Sequence, residues 1–374
     1  MKIAIMGCGT VGGGVYNITV NSPELLERKC GEPVEVKYIL DLRDFKGESF
    51  EKLVVHDIDT IVTDPEVGVV AETMGGVEPA FTFCMKCLNA GKAVVTSNKQ
   101  LVATKGVELF AAAKKNNVPF MFEASVCGGI PVINTLFSDL GANNIVKMAG
   151  ILNGTTNFIL TKMIEDGMSF DDALKIAQDK GYAEKDPTAD VEGIDACRKI
   201  CILASGAFGS HINPDGVSAE GITHISAEDV AAAEKLGYKI KLLGVCEKAE
   251  NGKLFVLVSP HLVASDSMLA GVRGVNNALS VTGDSVGEVL LYGQGAGREA
   301  TASAVTADIL ACVRDLDFAP HYSWGEEKEG LVLPAAERVC RFFVREGENA
   351  YITEPMKKKE ISASADASVI PVFC

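Results

Sequence analysis

The chain has 374 residues, of which 47% are hydrophobic and 23% charged, and its formal net charge is −15. That length exceeds one ordinary core and implies two or three domains. The acidic balance excludes nucleic acid and anionic membranes as expected partners, although local backbone N–H groups can still hold phosphate. Eleven cysteines are scattered along the chain. With no signal-like segment before the first strand and no apolar run of membrane-spanning length, they fit reduced thiols in a cytoplasmic protein. The one C-x-x-C, Cys84 and Cys87, lacks a second ligand pair and sits in a helical pattern, so it reads as two buried thiols rather than a zinc site.

In chain order, residues 1–6 (MKIAIM) form an apolar strand, residues 7–14 (GCGTVGGG) a glycine-rich turn, and a helix follows. Residues 34–40 form a second strand ending at Asp41. Residues 60–63 and 67–72 are strand-like, 79–89 a helix ended by Gly91, 93–96 a strand, 109–115 a helix and 119–123 a strand. This alternation predicts an α/β fold, a Rossmann-type parallel sheet with helices on both faces, over residues 1–130. The pattern then changes. Helices are expected at 132–140, 158–165, 170–180 and 194–208, and strands at 145–152, 255–263 and 281–291. These define an α+β second domain over 131–318. The remainder, 319–374, is a C-terminal extension in which residues 338–344 (RVCRFFV) read as one strand.

Gly7, Gly9 and Gly12 make G-x-G-x-x-G between a strand and a helix. The first glycine allows the tight turn, the second lets a pyrophosphate approach the backbone, and the third lets helix and strand pack closely. A dinucleotide therefore lies along Gly7, Gly9, Thr10, Val11 and Gly12. Asp41 is placed to accept hydrogen bonds from the ribose hydroxyls of NAD, whereas Arg43 is placed to pair with the 2′-phosphate of NADP. The two signals conflict and leave the choice between NAD and NADP open.

Residues 181–199 read GYAEKDPTADVEGIDACRK. Five carboxylates (Glu184, Asp186, Asp190, Glu192, Asp195) precede Arg198 and Lys199. Asp195 and Lys199 are i and i+4 on a helix, so they share a face. That spacing alone describes many solvated surface pairs, but the following stretch, 200–208, is almost wholly apolar and buries the element. A lysine tuned by such surroundings can serve as the base for a hydroxyl proton. Lys99, in TSNK, follows a strand at its carboxyl end, where open α/β sheets bind ligands.

With these residues in view, the chain from residue 1 to about residue 318 resembles homoserine dehydrogenase. The resemblance rests on GCGTVGGGV, ETMGGVEPA, TSNK, EASVCGGIPV, ILNGTTNFIL, GYAEKDPTADVEGIDACRK and GQGAGREATASAV. It implies NAD(P)-dependent interconversion of L-homoserine and L-aspartate 4-semialdehyde, on the route to threonine, methionine and isoleucine. It implies that Lys199 is the general acid/base, with Lys99 a second active-site lysine and Asp195 beside them. Glu184 matches the residue that holds the substrate, and Asp190, Gly154, Thr155 and Tyr182 match its pocket. Thr73, Lys99 and Gly297 join the cofactor contacts. The resemblance further implies a structural monovalent cation, sodium, on backbone carbonyls at Glu123, Val126, Gly128 and Ile130, and a homodimer or homotetramer, with 131–318 as the catalytic and dimerisation domain. The substrate would be a small amino acid.

Two departures stand out. Lys185 replaces the family's usual proline after the glutamate, and Arg298 replaces a residue that is often glycine. The tail resembles only the first strand of an ACT domain, so a short form without a threonine-binding regulatory domain is expected. One rival is another aspartate-pathway oxidoreductase acting on an acyl phosphate. It would need a nucleophilic cysteine with a basic partner, and Cys127 has no histidine near it in sequence. A non-enzymatic NAD(P)H sensor, the other rival, would have no use for the Glu184–Lys199 segment.

Overall fold

The structure is a computed structural model that describes residues 1–314 and 322–373. The described residues form two compact units. One is drawn from Met1–Asp139, Ser205–His211 and Ala296–Glu327, the other from Leu140–Ala204, Ile212–Gly295 and Lys328–Cys374. The boundary expected at 318/319 lies outside the described residues.

The first unit carries a six-stranded sheet of β1 (Lys2–Met6), β2 (Glu35–Leu40), β3 (Val54–Val55), β4 (Val67–Glu72), β5 (Ala93–Thr96) and β6 (Phe120–Met121). Their order is β3-β2-β1-β4-β5-β6 and every pairing is parallel. This is the Rossmann order, and it explains why β1 is apolar almost throughout, since helices cover both faces. The order reverses between β1 and β4, so the loops that leave Met6 and Glu72 open the crevice where such sheets bind ligands.

Helices α1 (Thr10–Asn21), α2 (Pro23–Cys30), α3 (Ile58–Thr63), α4 (Ala80–Asn89), α5 (Lys99–Asn116) and the short α6 (Val132–Asn134) belong to this unit, as does a helix over Arg298–Arg314. Cys84 and Cys87 are buried, free thiols on α4. Three consecutive glycines make α1 a poor helix by propensity, at about 1 kcal/mol each relative to alanine. Packing is the compensation. A Cβ on Gly12 would lie 2.0 Å from the Gly7 carbonyl oxygen, and one on Gly14 would lie 2.7 Å from Ala302 Cβ on the Arg298–Arg314 helix.

Several sequence expectations change here. Residues 60–63 belong to α3, not a strand: the β-branched run looks extended, but Asp57 caps it by accepting from Asp59 N at 2.9 Å. Helix α5 starts ten residues before the expected 109, because Asn98 caps it and Gly106 sits inside it against Trp324. The strand expected at 119–123 is only Phe120–Met121, followed by a 3₁₀ turn, Glu123–Ser125. The helix expected at 132–140 is one α turn followed by a π segment, Thr135–Asp139.

The second unit holds β7 (Ile145–Ile151), β8 (Ser218–Ala219), β9 (Tyr238–Lys248), β10 (Leu254–Ala264), β11 (Asn276–Gly283) and β12 (Gly287–Gln294) in the order β12-β11-β7-β9-β10-β8. All pairs are antiparallel except β8 with β10. Helices α7 (Gly154–Asp166), α8 (Phe170–Asp179), α9 (Thr188–Val191) and α11 (Ala227–Lys235) lie in this unit, and α10 (Ile194–Phe208) begins in it. Its core gathers Ile151, Leu243, Val245, Leu257 and Val263. The single strand expected over 281–291 is a hairpin, because Gly287, at φ +76°, turns the chain back.

The tail belongs to the same unit. The strand expected at 338–344 breaks at Arg341 into Val339–Cys340 and Phe342–Glu346. The latter pairs with both Asn349–Ile352 and Ser368–Pro371. Arg345 Nε donates to the buried Asp229 carboxylate at 2.6 Å, beside the capping box of α11.

Lys241 on β9 is 2% exposed and donates to Asn157 Oδ1 at 3.1 Å and to the Val272 carbonyl at 2.5 Å. Burial lowers its pKa from 10.5 to about 8; Lys239 and Arg273 push the same way and Glu165 opposes. Between those two values the unfolded chain holds the proton and the folded chain does not, so stability rises with pH there. Relative to Lys241→Met, the wild type is expected to gain on the order of 3 kcal/mol across this window. Urea unfolding at several pH values reads the difference, and a pH-independent difference would refute the assignment.

Candidate active site

In the first unit the chain turns sharply after β1. Gly7 has φ +87°, and a Cβ there would sit 2.8 Å from Met74 Cγ. An ideal Cβ on Gly9 meets nothing within 4 Å, so the backbone there is open on its side-chain face. Thr10 is exposed, Val11 half-buried, and both lie in the first turn of α1. Thr73 Oγ1 donates to the Gly7 carbonyl at 2.6 Å and pins the glycine turn to the end of β4. This is the arrangement a pyrophosphate needs: free N–H groups at a helix start, with side chains kept away.

Asp41 and Arg43 prove to be partners. Asp41 Oδ1 accepts from Arg43 N and Nε, each at 3.0 Å, and Oδ2 accepts from Arg43 Nη2 at 2.9 Å and from Cys8 N at 2.8 Å. Arg43, chiefly, holds the Asp41 carboxyl down at about 2. The guanidinium also donates to the Cys8 carbonyl at 3.1 Å and covers the Phe45 ring. The rival signals at this strand end are thus a single ion pair tied to the glycine turn.

Lys99 is half-buried at the first position of α5, and Asn98 caps the helix through its bond from Leu101 N. One residue that sequence reasoning missed organises this edge. Glu72, fully buried at the end of β4, accepts from Met74 N at 2.7 Å and from Thr96 Oγ1 at 2.5 Å. Asn98 in turn donates to the Gly76 carbonyl at 2.6 Å. Burial raises the Glu72 pKa, against the pull of these donors. The ETMGG motif marked the place, but an acid at a strand end carries no label for what it will bond.

In the second unit, Lys199 and Asp195 are buried on α10. Lys199 Nζ donates to Asp195 Oδ2 and to the Leu152 carbonyl, both at 2.7 Å. Asn153 Nδ2 donates to Asp190 Oδ1 at 2.7 Å and to Asp195 Oδ2 at 3.0 Å, while its Oδ1 caps α7 by accepting from Thr156 N at 2.8 Å. Asn153 is a second residue missed by sequence reasoning; the NGTTN turn announced a helix cap, not a bridge between two acids. Burial raises the Asp190 pKa, with Asp195 adding to it and Asn153 and Lys199 opposing.

Gly154 starts α7, and a Cβ there would lie 2.6 Å from the Val275 carbonyl oxygen. Thr155 Oγ1 donates to the Tyr182 carbonyl at 2.7 Å, and the exposed Tyr182 ring meets Phe158 edge-on, so the loop carrying Glu184 is tied to α7. Glu184 and Lys185 are exposed on that loop. The cluster can hold a polar substrate against carboxylates and pass a proton through Lys199.

Known proteins match the chain over most of its length. The homoserine dehydrogenase family pattern matches residues 131–310, and that of the homoserine dehydrogenase NAD binding domain matches residues 7–123. The homoserine dehydrogenase of Pseudomonas aeruginosa is 46% identical over 86% of this chain and 74% of its own length. The chain belongs to the homoserine dehydrogenase family. The crystal structure of a homoserine dehydrogenase from Thiobacillus denitrificans superposes with a TM-score of 0.90 at 36% identity, covering 100% of this chain and 98% of that one. A hyperthermophilic archaeal homoserine dehydrogenase in complex with NADPH reaches 0.70 at 30% identity, over 83% and 96% of the two chains. As a member of this family the chain is an NAD(P)-dependent oxidoreductase acting on homoserine. Among the described residues, no helix is long and apolar enough to cross a membrane.

Proposed function

We propose that this homoserine dehydrogenase moves its proton through Lys199 and holds its amino-acid substrate with the acids of residues 184–195. The observation that carries this is the cluster of buried Asn153, Asp195 and Lys199 with half-buried Asp190. Bound NAD(P) supplies the hydride chemistry at the substrate carbon. In the reducing direction the Lys199 ammonium donates a proton to the oxygen of the aldehyde as it becomes an alkoxide; in the oxidising direction the neutral amine takes the hydroxyl proton. Asp195 and the Leu152 carbonyl aim the Nζ. Asp190 and Glu184 supply negative charge for the substrate ammonium. Lys99 polarises the reacting oxygen. The enzyme serves threonine, methionine and isoleucine formation. Initial rates with L-homoserine and each of NAD+ and NADP+ test the reading; no turnover with either would sink it.

The monovalent cation is part of the same proposal. Among the described residues no group of three His, Cys, Asp or Glu side chains could hold a metal, but a carbonyl cage needs none. The residues fit such a cage. Cys127 and Gly128 are both left-handed, at φ +57° and +53°, which curls the backbone between Val126 and Ile130. Nearby, Glu123 N donates to the buried Asp308 Oδ2 at 2.9 Å, while Asp308 Oδ1 is buried with no hydrogen-bond partner among the described residues. A buried carboxyl with one unpartnered oxygen thus stands beside the turn, its pKa raised by burial and by Glu123. The carbonyls of Glu123, Val126, Gly128 and Ile130 would hold the ion, whose role is structural. Exchange of sodium for tetramethylammonium is expected to lower the melting temperature reversibly; identical melts in both salts would argue against it.

The second unit is also proposed to form the contact of a homodimer or homotetramer. Light scattering is expected to give at least twice the 39.5 kDa chain mass, and a monomer mass would overturn the assignment.

A further inference from the structure

Arg298 follows Gly297, whose φ is +117°, and opens the Arg298–Arg314 helix. That helix lies directly on α1. A Cβ on Gly14 would meet the Arg298 carbonyl oxygen at 3.2 Å and its Cγ at 3.3 Å, so the arginine stem runs along the glycine face of α1. Its Nη2 reaches 3.4 Å from the Cβ position of Gly13, in the first turn of α1. The side chain is about half exposed, and its ion-pair partner, the still more exposed Glu299, stands at 3.8 Å. A guanidinium held loosely by one surface carboxylate keeps most of its donors for another group. Its charge is also felt inside the glycine turn, where it opposes the rise that burial imposes on the Cys8 thiol.

We propose that Arg298 is a cofactor-binding residue that pairs with the pyrophosphate of NAD(P), adding a mobile cation to the backbone N–H groups at the start of α1. The inference rests on the dinucleotide reading of the glycine turn. The physical case is additive. The helix start offers partial positive charge and directed N–H groups. The chain's net charge of −15 works against a polyanionic ligand, so a local full charge matters more here than on a neutral protein. The planar fork matches phosphate oxygens in a bidentate way that lysine does not. Gly13 and Gly14, by presenting no side chains, leave the arginine its path across the helix.

Binding of NADH and of NADPH to the full-length enzyme, followed by nicotinamide fluorescence, tests the proposal. The wild type is expected to bind both; failure there would defeat the dinucleotide reading itself. Arg298→Gly is expected to weaken NADH and NADPH alike by about tenfold, with Arg298→Lys intermediate and the salt dependence of binding reduced. The melting temperature should stay near the wild-type value, because the side chain is half exposed. A loss confined to NADPH would place the guanidinium at the 2′-phosphate and overturn the proposal. Unchanged affinity for both cofactors would also overturn it. Should the glycine variant fold poorly, Arg298→Gln, which keeps the helix start, gives the same comparison.

Discussion

Lys199→Ala is expected to reduce turnover by about a hundred- to ten-thousandfold while NAD(P)H binding is retained, the range lost when a positioned general acid is removed. The cofactor residues from Gly7 to Thr73 belong to the first unit, whereas Lys199, Asp195 and Asn153 belong to the second, so the two measurements report on separate parts of the chain. The variant also carries a structural cost. Removing Nζ leaves Asp195 Oδ2 with Asn153 but without its cation, in a site where both side chains are buried. An uncompensated buried charge of this kind costs about 3–5 kcal/mol. Lys199→Met combined with Asp195→Asn separates the two effects. It should recover stability by removing the charge and filling the space, yet remain as inactive as the single variant. Turnover within tenfold of wild type in either variant would remove Lys199 from the chemistry.

Asn153→Asp is expected to combine a stability loss of a few kcal/mol with a fall in turnover of about a hundredfold. Asn153 gives its amide hydrogens to Asp190 and Asp195 and uses its carbonyl oxygen to cap α7. The aspartate keeps an oxygen for the cap but replaces both donated bonds with repulsion among three carboxylates. Burial already raises the Asp190 pKa; a further negative charge raises it more, so the variant should regain activity as pH falls and the carboxyls are protonated. Asn153→Ala removes the cap and the bridge without adding charge, and should lose stability of about 1 kcal/mol for the cap alone with no such acid recovery. A pH–rate profile for Asn153→Asp parallel to that of the wild type would show that the bridge does not govern the acids.

Much of the site was legible in the sequence because its logic is local. The glycine turn needs only a strand, a tight loop and a helix start, all within residues 1–14. Asp195 and Lys199 are one helical turn apart, so their spacing alone placed them together on α10. Other features were illegible because their partners are distant. The conflict between Asp41 and Arg43 dissolves once the strand end folds against Cys8, which lies on another loop. The bonds of Glu72 come from Met74, after β4, and from Thr96, at the end of β5, and only the parallel pairing of β4 with β5 puts those strand ends side by side. The α3 and α5 helices were misread or shortened because β-branched residues and an interior glycine weaken local signals that capping and packing override.

The sequence by itself determined that a dinucleotide turn opens the chain, that a buried acid–lysine pair lies downstream of a dense acidic loop, and that their joint pattern is that of homoserine dehydrogenase. Those are properties of neighbours along the chain, where backbone geometry sets distance. The tertiary structure alone decided that Asn153 joins Asp190 to Asp195, that Asp41 and Arg43 neutralise each other, and that Arg298 lies beside the first turn of α1. The Asn153 bridge and the place of Arg298 depend on elements far apart in sequence being brought together by burial of apolar surface, and the Asp41–Arg43 pair, though local, is fixed by its bonds to the distant Cys8.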